Sequence, residues 1–372
     1  MSPTSPAPDP VERSAGSTEP VWDAAAFRAA VQVELDAFLD MQGQRLTALG
    51  HDAERLLDEA RQAVTGGKRL RAAFCAWGYR AVRPQPADEA SLVRACAALE
   101  LLHASALVHD DFMDASDTRR GRPATHRRFE SEHRGVQWRG DPQQYGAAAA
   151  ILLGDLLLSW SDELLRRCGL PLADVGPALE VLDLCRTEVI AGQFLDVSVQ
   201  ARGRADVDTA MTVLRFKSAK YSIERPLHIG AALAGADGAT LAALSGFGLP
   251  LGEAFQLRDD LLGVFGDPDA TGKPAGDDLV EGKRTVLVAL ALDAAAPEDA
   301  LLLDRSLGNP LDEAQVSRLR QVIDDSGARQ QVEDAIRGLT ARALEALDRA
   351  PVDAHARAAL RELAEAATQR TV

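Results

Sequence analysis

Aromatic residues are scarce in this chain, at 5% against 46% apolar residues in all, so Ala, Leu and Val carry most of the apolar share. With few strand formers and long Ala/Leu/Glu/Arg stretches, that balance argues against a β-rich fold and favours helix. Cysteine is also sparse. Cys75, Cys96, Cys168 and Cys185 are scattered through helical patterns, with no C-x-x-C and no Cys/His metal spacing. That argues against a disulfide framework or a zinc site and predicts reduced, buried thiols in a cytoplasmic protein. No apolar run reaches the ~18 residues of a membrane span. Positive charge is in deficit too. A net charge of −15 argues against nucleic acid or an anionic membrane surface as the main partner. An anionic ligand must then be held by a local basic cluster or by bound cations. Residues 1–21, rich in Ser, Pro and acidic side chains, have no apolar core and read as a disordered tail rather than a signal peptide.

From Trp22 onward apolar residues recur at helical spacing nearly to the end. The pattern predicts helices at about 22–49, 51–65, 68–81, 87–116, 143–169, 174–201, 206–222, 224–236, 238–265, 282–294, 312–324, 326–349 and 353–368. Breakers such as Gly66-Gly67, Gly140-Asp141-Pro142 and the run Gly266 to Gly276 separate them. Helices 87–116, 143–169, 174–201 and 238–265 lack a long polar face, which places them inside a bundle. The expectation is an all-α fold, one large helical bundle over 22–372 around a central cavity, with the polar segment 127–146 as a surface loop.

Helix 87–116 ends in Asp110-Asp111-Phe112-Met113-Asp114. Asp110 and Asp114 are one turn apart, so like charges share a face, and the last turn of a helix disfavours anions. With apolar residues around them, such carboxylates are costly unless a cation joins them. Oxygen ligands, one or two per ion, suit Mg²⁺, which keeps several waters and shares its other positions with phosphate. Taken alone, the string is as compatible with an acidic surface end. A second acidic pair, Asp259-Asp260 within Phe255-Gln256-Leu257-Arg258-Asp259-Asp260-Leu261-Leu262-Gly263, interrupts another apolar helix. Two such helices facing each other across a core would pool their carboxylates around a metal-bridged pyrophosphate.

Basic residues accompany both clusters. Arg119 and Arg120 follow the first; Lys68 and Arg71 open a helix after Gly66-Gly67; His103 lies two turns before Asp110; Lys217, Lys273 and Lys283 stand in short Lys motifs. Each alone is more commonly a solvated charge, but each sits beside a glycine or an acidic cluster. These segments, in order from Gly66 to Thr285, resemble the trans-isoprenyl (polyprenyl) diphosphate synthase family: G-G-K-R-x-R, D-D-x-x-D with R-R-G-x-P, Gly192-Gln193-Phe194-Leu195-Asp196, K-[ST]-x-x-Y, and F-Q-x-x-D-D followed by T-G-K and G-K. Gly263 stands where many members have a third Asp, with Asp267 further on.

The resemblance implies three Mg²⁺ ions held by Asp110, Asp114 and Asp259, with Asp111 and Asp260 supporting through water. It implies an allylic diphosphate gripped by Arg119, Lys217, Lys273 and Lys283 in a site lined by Gln193, Asp196 and Gln256. Isopentenyl diphosphate would be held by Lys68, Arg71, His103 and Arg120, and the allylic cation steadied by Ser218, Tyr221, Gln256 and the Lys217 carbonyl. Members are usually homodimers. A helix rises about 5.4 Å per turn, close to one isoprene unit. The small Ser105 and Ala106 one turn above Asp110 then leave room for a C15 chain, with Leu101 and Leu102 as a floor and a C20 product, geranylgeranyl diphosphate. Alternatives are a farnesyl or longer-chain synthase, a class I terpene cyclase and a non-catalytic regulatory subunit. A cyclase has no use for the isopentenyl set, and regulatory subunits typically lose an aspartate cluster that is whole here.

Overall fold

The computed structural model describes residues 22–203, 206–266 and 276–368. The tail expected over 1–21, the stretch holding Asp267 and Lys273, and the last four residues lie outside them. The all-α class holds. In chain order the helices are α1 (Ala24–Leu46), α2 (His51–Ala63), α3 (Leu70–Val82), α4 (Glu89–Met113), α5 (Thr125–Val136), α6 (Pro142–Arg166), α7 (Leu172–Arg202), α8 (Val207–Val213), α9 (Arg225–Leu233) and α10 (Gly238–Phe265). Then come α11 (Asp277–Glu281), α12 (Val286–Ala294), α13 (Pro297–Ser306), α14 (Glu313–Asp325), α15 (Ala328–Arg349) and α16 (Ala354–Thr368). The described strands are two residues each, β1 (Thr118–Arg119) paired antiparallel with β2 (Arg122–Pro123). Aspartates before α1, α4, α6, α8, α10 and α14 accept first-turn N–H groups, so local chemistry marks many helix starts.

Three departures from the periodicity have physical causes. The expected loop 127–146 is mostly helix: α5 covers its first part and α6 begins at Pro142. The buried face of α5 is Thr125, His126, Phe129, Glu130 and His133, which repeats helically but is polar. Arg127 and Arg134 neutralise Glu130 there, so no apolar stripe announces the helix. The helix expected over 206–222 divides into α8 and a π-helical segment, Leu214–Glu224, whose wider turn breaks the 3.6-residue period. That segment is wedged between two glycines. A Cβ on Gly192 of α7 would lie 2.4 Å from the Lys217 nitrogen, and one on Gly252 of α10 would lie 2.5 Å from the Ala219 carbonyl. Finally, the helix expected over 282–294 begins only at Val286, as α12, after the short α11 has ended at Glu281, and α13 follows where no helix was expected.

The buried apolar residues form two clusters. One gathers α1, α3, α4, α6, α7 and α9 with the end of α15 and α16; the other gathers α8, the π-helical segment and α11 to α14 with the first part of α15. Helix α10 serves both, giving Leu244, Phe247 and Leu251 to the first and Leu257, Leu261 and Val264 to the second. That is why it carries no polar face. Among the described residues α4 alone is long and apolar enough to cross a membrane, yet 78% of its most apolar window is buried in the protein. Its composition is that of a core helix.

Candidate active site

The C-terminal half of α4 and the C-terminal part of α10 border a cavity of about 1190 Å³. Asp110, Asp259 and Asp260 line it, with Lys68, Arg71, His103, Arg119, Arg120, Gln193, Asp196, Lys217, Ser218, Tyr221, Gln256 and Lys283. Two acidic helices far apart in sequence therefore open on one space, together with most of the expected cations. Asp111 and Asp114 stand just behind that wall. Leu102, Ser105 and Ala106 also line the cavity, but Leu101 is fully buried in the first core cluster and is no part of the floor. Successive helical residues point about 100° apart, so of two adjacent leucines one faces inward and the other turns into the bundle. Lys273 lies outside the described residues.

Around Asp110 the site is strongly coupled. Gln193 Nε2 donates to its Oδ1 at 2.9 Å, and Lys217 Nζ lies 3.1 Å away. Burial pushes this carboxyl up, but Lys217, Lys283 and Arg119 outweigh it and hold it at about 2. Asp114 differs. Its side chain is 3% exposed, neither oxygen accepts a hydrogen bond, and Lys283 Nζ approaches only to 3.4 Å. Burial and then the neighbouring Asp110 raise it to about 6. Asp111 is committed elsewhere, since Arg119 Nε donates to both of its oxygens at 2.8 and 3.1 Å.

The opposite rim is built on α10. Gln256 Nε2 donates to Asp260 Oδ1 at 2.9 Å, while burial, with Asp278 and Asp259 close by, raises Asp260 to about 8. Gly263 is explained by space. A Cβ there would lie 1.9 Å from Asp278 Oδ2, and Asp278 in turn sits 3.5 Å from Lys283. A carboxylate from α11 thus occupies the room beside the acidic pair. Sequence reasoning passed over Asp278, although its position five residues before Lys283 was a usable signal.

Cations and aromatic groups fill the remaining walls. Lys217 bridges Asp110 and Asp196 (2.6 Å to the latter), and these acids overcome its burial and raise its pKa. The Arg71 guanidinium lies 4.2 Å over the Tyr221 ring and donates to Ser222 Oγ at 2.7 Å. His103 Nδ1 is 2.6 Å from the Tyr221 hydroxyl, and burial, then Arg71 and Arg120, pushes its pKa well down, so the imidazole is neutral. On the same wall is a pair that sequence reasoning missed. Arg69 NH1 donates to Glu100 Oε2 at 3.0 Å, both side chains being at most 5% exposed. Arg69 holds a left-handed backbone at φ 55°, which turns the chain between Lys68 and Arg71.

Among the described residues, no three acidic, His or Cys side chains are already gathered as a metal cage. The donors suit a hard cation that takes one or two carboxylates and completes its shell with water and phosphate. The oxygens of Asp114, buried without hydrogen bonds, fit such a partner.

The polyprenyl synthetase family model matches residues 54–325. A geranylfarnesyl diphosphate synthase of Natronomonas pharaonis is 32% identical over 332 residues, covering 86% of this chain and 91% of that one. A Corynebacterium glutamicum geranylgeranyl pyrophosphate synthase, crystallised with isoprenyl diphosphate and magnesium, is 40% identical. It superimposes with a TM-score of 0.91 over 94% of this chain and all of that one. A Caulobacter crescentus polyprenyl synthase with calcium and isoprenyl diphosphate gives a TM-score of 0.74 at 28% identity, over 95% and 99% of the two chains. With two aspartate-bearing helices and their cations around one cavity, and with matches running almost the whole length of the described chain, this protein belongs to the polyprenyl synthetase family.

Proposed function

We propose that the protein joins isopentenyl diphosphate to an allylic diphosphate (dimethylallyl, geranyl or farnesyl) and releases pyrophosphate, as one domain over 22–372 acting in the cytoplasm. The observation that carries this reading is one cavity bordered by acidic helix ends and basic side chains, continuing between α4, α6 and α7 into apolar walls. Three Mg²⁺ ions would be held by Asp110, Asp114 and Asp259, with Asp111 and Asp260 behind them. When bound, they draw negative charge from the departing diphosphate.

The chain's own residues do the rest. Arg119, Lys217 and Lys283, with Lys273, bind the allylic diphosphate in a site lined by Gln193 and Asp196, and they favour loss of pyrophosphate with the C–O electron pair. Ser218, Tyr221, Gln256 and the Lys217 carbonyl turn oxygen dipoles toward the allylic cation. Lys68, Arg71, Arg120 and neutral His103 orient isopentenyl diphosphate so that its double bond attacks C1. The proton then lost from the adjacent carbon passes to pyrophosphate, so no side-chain base is needed. The apolar tail lies along Ser105 and Ala106, and the expected product is C20.

Purified protein given Mg²⁺, isopentenyl diphosphate and each primer should yield a C20 diphosphate. Ser105→Phe with Ala106→Phe should shorten it to C15 or less by chromatography. An unchanged length would overturn the placement of the tail, and wild type inert with every primer would overturn the reaction. The active unit in this reading is a homodimer, supported by exposed apolar residues on α6 and α7: Ile151, Leu152, Ile190 and Phe194, the last 74% exposed. Sedimentation equilibrium should give twice the chain mass, and a monomer at micromolar concentration would refute it.

A further inference from the structure

The far end of the cavity has no role in the condensation step. Helices α4 and α6 run antiparallel beside it, registered where the Ser105 hydroxyl donates to the Gly154 carbonyl at 2.7 Å and His109 Nε2 meets the Ile151 carbonyl at 3.2 Å. Helix α7 runs with α4, tied at the upper end by Gln193 to Asp110. Below Ser105 and Ala106 the walls are apolar: Leu102, Leu158 and Val189. Then the character changes abruptly. Arg186 of α7 lines the cavity, and its NH2 lies 3.4 Å from Asp162 Oδ1 on α6 while also bonding Asp183 one turn back on α7. Arg186 and Asp162 are only about one-fifth exposed. An ion pair crosses from helix to helix where a hydrocarbon tail would next extend.

We propose that the Arg186–Asp162 ion pair is the floor that limits product length. This inference rests on the condensation reading. An apolar polyprenyl tail pressed against a largely buried ion pair removes its remaining water and offers no hydrogen bond in return, which is unfavourable for both charges. Pushing the guanidinium aside breaks its tie to Asp162. An apolar side chain there would present no such barrier.

The depth matches the expected product. Arg186 precedes Gln193 by two helical turns, about 10–11 Å along the axis. That is room for about two isoprene units beneath the one ionised beside Asp110, which makes a C15 allylic chain the longest that seats. One more condensation gives C20, and the longer tail cannot draw down for another round. The pair stands on helices other than the one bearing Ser105 and Ala106, so it acts independently of them.

The test is product length from the full chain with Mg²⁺, excess isopentenyl diphosphate and geranyl or farnesyl diphosphate, the products being dephosphorylated and separated by chromatography. Arg186→Leu should move the main product at least one isoprene unit beyond wild type. Arg186→Lys, which keeps the charge, should retain the wild-type distribution, and Asp162→Asn, which loosens the tie, should move it part of the way. A wild-type distribution from Arg186→Leu overturns the floor. If that variant fails to melt cooperatively, Asp162→Asn decides, and an unmoved distribution overturns it equally. Wild type that makes no product defeats the condensation reading instead, which separates the two failures.

Discussion

Asp110→Asn is expected to lower kcat by roughly 10²–10³, the loss typical when one preorganised electrostatic group is removed from a reacting centre. Asn keeps the shape of the side chain and removes only its charge. In the native site that charge is kept at a cost. The carboxylate lies in the last turn of α4, where the backbone dipole is unfavourable, and it is largely buried. Lys217 and the Gln193 amide offset those penalties, so Asp110 is ionised throughout the neutral range. An anion maintained against burial and dipole is one whose charge is used. The variant should also need more Mg²⁺ for half-maximal rate while melting at a similar temperature, because Lys217 keeps its ion pair with Asp196. A kcat within threefold of wild type at saturating Mg²⁺ would show that this carboxylate holds no metal.

Glu100→Gln is expected to cost about 3–5 kcal/mol of stability, the usual penalty for leaving a buried charge without its partner. Glu100 accepts from Arg69 and also from the Ala72 N–H at 3.3 Å, so one carboxylate joins α4 to the start of α3. Arg69 in addition donates to Gln32 on α1 at 2.6 Å and to the Val64 carbonyl. Remove the acid and a nearly inaccessible guanidinium remains, in a backbone conformation that non-glycine residues rarely adopt. Urea unfolding reads this directly as a shift of midpoint. The comparison is Arg337→Ala, which breaks an exposed Arg337–Asp334 pair of a kind generally worth at most about 1 kcal/mol. Equal losses from the two variants would mean that the buried pair contributes nothing special.

Glu100 also shows why this part of the site escaped sequence reading. Arg69 is in plain view within Gly66-Gly67-Lys68-Arg69-Leu70-Arg71, but its partner lies 31 residues on, amid a run of apolar positions on α4. Nothing local says whether a glutamate there faces water or a cation. The same holds for α5. Its inward face of Thr, His and Glu has the right period and the wrong chemistry, so a hydrophobic count finds no helix. In the Leu214–Glu224 segment the chemistry is legible and the period is not, because a π-helical turn moves Lys217, Ser218 and Tyr221 off the face that ordinary helical spacing assigns. Leu101 and Leu102 are chemically alike, and only the rotation of α4 decides which one meets the cavity.

What the amino-acid order determined by itself was everything set within a few residues of chain. Most of the helices, the one-turn spacing of Asp110 and Asp114, and the placing of cations beside glycines and acidic clusters are local features of the chain. Tertiary structure alone decided which charge answers which: Asp111 with Arg119, Lys217 between Asp110 and Asp196, Asp278 in the space beside Gly263, and Arg186 across to Asp162. Those pairings depend on how far each helix is rotated and slid against its neighbours. Rotation and slide are fixed by close packing summed over the whole core, a quantity that no short stretch of sequence carries.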